Sequence, residues 1–175
     1  MNHLKDAILE IPFTRAMYFR RLRTLMDSYL ATGTGYFENL VNGLEATIEA
    51  DADTDNTIWN AGDINLGVDS ILLNWMPTRR EQLFNTYSPS GSGLIPASQP
   101  GAVLIEFGAI EYNPSSANQS EEYIELLNNH AFAVDISGWK LSGAVDYVFR
   151  PGTVIPANSK LYVSPDVAAF RLRSQ

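Results

Sequence analysis

Cysteine is absent from the 175 residues. The fold therefore has no disulfide frame, no thiolate nucleophile and no cysteine zinc site, and any metal or nucleophilic chemistry falls to oxygen ligands and hydroxyls. Histidine is nearly as scarce: His3 and His130 are the only two, which leaves little to titrate near neutral pH. Basic residues are outnumbered, with 12 Lys and Arg against 20 Asp and Glu. A formal charge of −8 and a pI near 4.6 give a polyanion no counterion-releasing surface, so nucleic acid is not an expected partner. No run approaches the roughly 20 apolar residues of a membrane span. The opening MNHLKDAILEIPF lacks the basic flank and apolar run of an export signal.

What is present divides into two parts of different character, and the reading is an α+β chain. The seam is SPSGSGLIPASQPG (88–101), where Ser, Gly and Pro crowd together as in a linker. The domains are therefore read as a helical segment over 1–88, a linker over 89–101 and a β module over 102–175. In the first part Phe13, Met17, Leu25 and Tyr29, with Leu22 and Met26 beside them, form an apolar stripe that predicts a helix near 12–32, with Pro12 in its first turn and Gly33 as cap. Phe37, Leu40, Val41, Leu44 and Ile48 predict a second helix near 35–50. A third pattern runs from Asp63 to Tyr87, where Pro77 predicts a kink or two shorter helices. Three such helices are expected to pack as a small antiparallel bundle around Leu22, Leu25, Leu40 and Leu44.

The second part gives short β-branched and aromatic runs at 103–112, 122–128, 133–136, 139–143, 146–149 and 160–164, separated by turn residues. PGTVIPANS is read as a place where pairing stops, because of its two prolines. An immunoglobulin-like antiparallel sandwich follows, with Tyr123, Ile124, Leu126, Trp139 and Leu161 as its core. Such a sandwich usually takes about 100 residues, so the sheet is expected to be incomplete.

The series IEYNP (110–114), EYIELLNN (122–129), VDISGWKLSG (134–143), DYVF (146–149) and PGTVIPANSKLYVS (151–164) resembles the lamin tail domain, an immunoglobulin-like module of nuclear lamins and of many bacterial secreted proteins. Two departures stand out. A glutamate common in the family's first strand is replaced by Ala109. The family also continues with further strands where this chain stops at Gln175, so the resemblance implies a truncated module or one completed by strands from another copy. The first part, through MYFRRLRTLMDSYL (17–30), DNTIW (55–59) and MPTRREQLF (76–84), resembles the C-terminal helices of the spore-coat protein H (CotH) kinase-like family. That likeness implies that the catalytic lobe lies upstream of residue 1, so no catalytic residue is assigned and the chain is read as not itself an enzyme.

Asp51, Asp53 and Asp55 alternate like the first ligands of a calcium loop. However, Gly62 stands where the bidentate glutamate belongs and Asn56 replaces the turn glycine. They are weak metal candidates beside the plainer reading of an acidic helix end, and no other cofactor is expected. SGSG (90–93) lacks the lysine of a phosphate loop. The arginines at 15, 20, 21, 23, 79 and 80 are read as covering the bundle while their heads pair with acids. His130 is read as a solvent-facing turn residue, which leaves no catalytic triad, and no weight is placed on the sequon Asn118-Gln119-Ser120.

These readings converge on a non-catalytic interaction or structural module. The resemblance implies an extracellular or cell-surface setting. The expected partner is protein, including a second copy through an exposed strand edge; the alternatives are the tail of a kinase-like protein and a self-assembling structural chain.

Overall fold

The computed structural model describes residues 3–173, which form two compact units: 3–21 together with 99–173, and Leu22–Ser98. The first unit is of α+β class. Helix α1 spans His3–Glu10, and α2 begins at Pro12, where a missing N–H costs nothing, and runs to Leu25. The strands are β1 (Glu106–Glu111), β2 (Tyr123–Asn128), β3 (Val134–Asp135), β4 (Lys140–Leu141), β5 (Tyr147–Val148), β6 (Val154–Ile155) and β7 (Ser159–Val163). All pair antiparallel, as β1-β2-β7, β3-β6 and β4-β5.

The strand alternation decides which side chains meet the core. Across the three-stranded sheet the register aligns Ile110, Ile124 and Val163 in one row, and Phe107, Leu126 and Leu161 in another. Leu126 packs with Val134, Ile136, Phe149 and Ile155 from the facing segments, flanked by Ile124, Leu161 and Val163. Full burial of side chains of this size contributes roughly 1.5–3 kcal/mol each.

Three sequence expectations need correction here. Tyr123 lies on the opposite face of β2 from the core, edge-on to Tyr162 and Phe170. Trp139 is 38% exposed; it follows the left-handed Gly138 at the bend, and Phe149, whose N–H donates to the Trp139 carbonyl, supplies the buried aromatic ring of the core instead. The PGTVIPANS segment does not end pairing, since Val154 and Ile155 form β6, both fully in the core. Its prolines flank the ladder rather than interrupt it.

In the second unit α2 widens into a π-helical turn over Met26–Leu30, and α3 (Tyr36–Trp59) is longer than the stripe of leucines predicts. It continues to the left-handed cap Asn60, whose N–H donates to the Asn56 carbonyl. The third helical stretch holds two short α-helices, with Pro77 in the first turn of the second. Helix α4 (Ile64–Asp69) passes through a π-helical segment, Ser70–Trp75, into α5 (Met76–Glu81), and the chain stays helical to Thr86. The wide turn absorbs the donor and the space that proline removes. The buried apolar residues of this unit are Met26, Met76, Leu83 and Ile95, whereas Leu25, Leu40 and Leu44 are exposed. The leucine stripe of α3 is therefore not the core expected of it. The Ser/Gly/Pro stretch is closed by backbone bonds from Gly91 and Gly93 to the Ser88 carbonyl and from Ile95 to Tyr87. The last helix, α6 (Val167–Leu172), starts at Asp166, whose carboxylate accepts from the N–H groups of Ala168 and Ala169.

Candidate interaction surface

The inner face of the sheet is covered over β2 and β7 and uncovered over β1. Phe107 and Ile110 share the core face by register, yet are 61% and 54% exposed. Between them, the ends of β2 and β7, and the β4–β5 hairpin lies an open groove of about 510 Å³. Its apolar walls come from Phe107, Ile110, Ile124, Leu141, Val145 and Tyr147. Glu111, Glu122 and Asp146 are the charged residues of the lining, which contains no Lys or Arg. Asp146 is engaged by Lys140 at 2.9 Å, while Glu111 accepts from the Asn113 N–H. Among the described residues β1 has no strand neighbour on its outer side, so its edge N–H and C=O groups are open to pairing.

The position of β1 is set by a bulge. The pairing steps from Phe107↔Leu126 to Ile110↔Ile124, one residue more on β1 than on β2. On the outer face the Glu125 carboxylate reaches under this bulge. It accepts from Lys160 Nζ at 2.7 Å, from the Ala109 N–H at 3.0 Å and from the Tyr162 hydroxyl at 2.8 Å. A Cβ at Gly108 would collide with the Glu125 side chain, so glycine is what allows the close approach. The Lys160 hydrogen bond first, then those from Ala109 and Tyr162, bring the Glu125 carboxyl from the ordinary 4.5 down to about 2, and the same pair raises Lys160.

A folded-state value below the ordinary one stabilises fully above pH 4.5 and is lost as pH falls toward about 2. Amide-exchange protection at Ala109 and along β1 is expected to decline through that window in the wild type and to stay level in Glu125→Gln. Protection that is unchanged down to pH 2 in the wild type would remove Glu125 as the clasp.

The remaining sequence candidates fall elsewhere. Asp51, Asp53 and Asp55 lie within α3. The 3.6-residue period puts Asp51 and Asp55 on one side of that helix and Asp53 on the other, so they do not converge as loop ligands would. Among the described residues, no group of three or more His, Asp or Glu side chains could hold a metal ion. His130 does not face solvent freely; its Nε2 lies 2.9 Å from the Leu104 carbonyl and its ring stacks on Phe132. The arginines find partners: Arg21 with Asp135, Arg23 with Asp27, and Arg80 with Glu38, whose carboxyl Arg80 holds below its usual range. No described helix is long and apolar enough to cross a membrane.

An antiparallel three-stranded sheet and two short antiparallel strand pairs around one apolar core define an immunoglobulin-like module. Residues 96–173 match the family model described as Lamin Tail Domain, and that segment holds every strand described above. No curated protein and no solved structure matches the chain.

Proposed function

We propose that this chain is a non-catalytic protein-interaction module whose working surface is the uncovered face of β1. One observation carries the reading: two large apolar side chains on the core face of a sheet, Phe107 and Ile110, are more than half exposed. Exposed core-face residues beside an unpaired strand edge are the features used in strand addition, where backbone bonds give affinity and side-chain pockets give selectivity. A bacterial surface or secreted setting, and a helical part of the CotH kinase-like type, are supported by the resemblances in the sequence. As the tail of such a kinase the chain would depend on an upstream lobe for activity; micromolar ATP binding to the chain itself in calorimetry would overturn the non-catalytic reading.

A library of extended peptides displayed on phage is expected to yield clones that bind the wild type and lose binding to Ile110→Lys. Ile110 is exposed, so this substitution leaves the core intact. A library in which no clone depends on Ile110 would sink the proposal. The same edge favours a second reading, pairing between copies. Sedimentation across a concentration series separates the two: a constant 19.4 kDa species excludes self-pairing, and a dimer abolished by Ile110→Lys establishes it.

A further inference from the structure

The groove beside β1 has a charge pattern as well as a shape. Its walls are apolar, and the charged groups in its lining are Glu111, Glu122 and Asp146. Lys140 pairs with Asp146, and Glu111, opposite Tyr123 in the register, belongs to the outer face and reaches only the rim. Glu122, two residues before Ile124 at the approach to β2, has the parity of the core face and is the carboxylate set toward an occupant. An apolar occupant that brought no cation would leave it partly desolvated and uncompensated, which is costly. One with a Lys or Arg beside its apolar residues would turn it into a charge-assisted hydrogen bond. A second copy of this chain is a poor match, since each copy carries −8 and would bring the same acidic rim to its partner.

Resting on the interaction-module reading, we propose that the groove takes an extended segment of a different protein. Alternate residues of that segment are β-branched or aromatic and fill the space over Phe107 and Ile110, and at least one Lys or Arg on it meets Glu122. Binding adds a strand at the free edge of β1 and closes the open end of the core.

The probes are three fluorescein-labelled heptapeptides, KVTVKVT, its acidic counterpart EVTVEVT and the neutral QVTVQVT, titrated against the full chain by anisotropy. The basic peptide is expected to bind at least tenfold more tightly than the neutral one, and the acidic one more weakly still. The preference should shrink with added salt, as a rim ion pair requires. Glu122→Lys is expected to reverse the order of the basic and acidic peptides, and Ile110→Lys to abolish binding of all three. Equal binding of the three peptides, each lost in Ile110→Lys, would overturn the charge preference while leaving the interaction reading standing. No binding of any peptide, together with a display library without Ile110-dependent clones, would overturn both. A concentration-dependent dimer that blocks the peptides would transfer the groove to a second copy.

Discussion

Asn128→Ala is expected to cost about 4 kcal/mol, a large part of the stability of a module this size, through loss of buried hydrogen bonds. Asn128 ends β2 and is fully buried. Its Nδ2 donates to the carbonyls of Phe132, Ile155 and Pro156 at 2.9, 3.0 and 2.7 Å, and its Oδ1 accepts from the His130 N–H at 3.0 Å. One amide thus joins β2, the turn after it and the end of β6, with its two hydrogens shared among three acceptors. Alanine leaves those backbone groups facing a dry interior, and each unmet group costs about 1–3 kcal/mol before relaxation. The neighbouring Asn129 is exposed and bonds only to the Glu106 side chain, so Asn129→Ala should stay within about 0.5 kcal/mol. Urea midpoints of the two variants give the comparison. Similar midpoints would show that Asn128 is not the stitch its contacts describe.

Asp135→Ala should be nearly as damaging, by roughly 3–5 kcal/mol, because it breaks a largely buried charge pair from one side. The Asp135 side chain is 2% exposed; its Oδ2 meets Arg21 Nη1 at 3.1 Å. Its Oδ1 accepts from the Ser137 N–H at 2.9 Å and the Ser137 hydroxyl at 2.5 Å. Its backbone is paired on both sides by the Gln99 amide, which accepts from Asp135 N–H and donates to Asp135 C=O. This cluster fastens α2, through Arg21, to the strands of the same unit. Arg21→Met alone should cost less, since Arg21 remains 26% exposed and Asp135 keeps Ser137. In the double variant the two losses should fall short of their sum by more than 1 kcal/mol, the mark of direct coupling. Strict additivity in thermal or urea unfolding would mean that the two side chains act separately. Tryptic cleavage near Arg15 should quicken in Asp135→Ala and not in Asn128→Ala if the cluster holds the helix specifically.

The sequence made some of this legible and hid the rest for physical reasons. Runs such as EYIELLN and KLYVS announced β2 and β7, because a half-buried strand needs β-branched and aromatic residues in alternation. The brief β6 was hidden by Pro151 and Pro156, which bound it without entering the ladder. Helix α3 outran its prediction because the acidic DADTDN stretch is interspersed with Ala50 and Ala52. Thr54 and Thr57 also turn their hydroxyls back onto the carbonyls of Ala50 and Asp53, where they no longer compete with the helix. Trp139 misled because its size suggested burial. The interaction groove had no local signature: Phe107 and Ile110 sit in an ordinary apolar strand run, and only the reach of the facing segments leaves them uncovered. Asp135 and Arg21 were unreadable as a pair, since no spacing rule links residues so far apart.

The order of synthesis gives that separation a second meaning. Arg21 and Asp135 are 114 residues apart, and a ribosome adding roughly 5–20 residues per second separates them by about 6–23 s. The whole of Leu22–Ser98 emerges in that interval, so the helical unit is complete before the first helix of the β unit meets any of its strands. Through this window α2, which carries Arg21, lacks the Asp135 carboxylate, and its Phe13 and Tyr18 stay exposed even in the finished fold. The Arg21–Asp135 pair therefore closes only after the helical unit between them has been made, and a nascent chain stalled before residue 135 should leave α2 more open to proteases and chaperones.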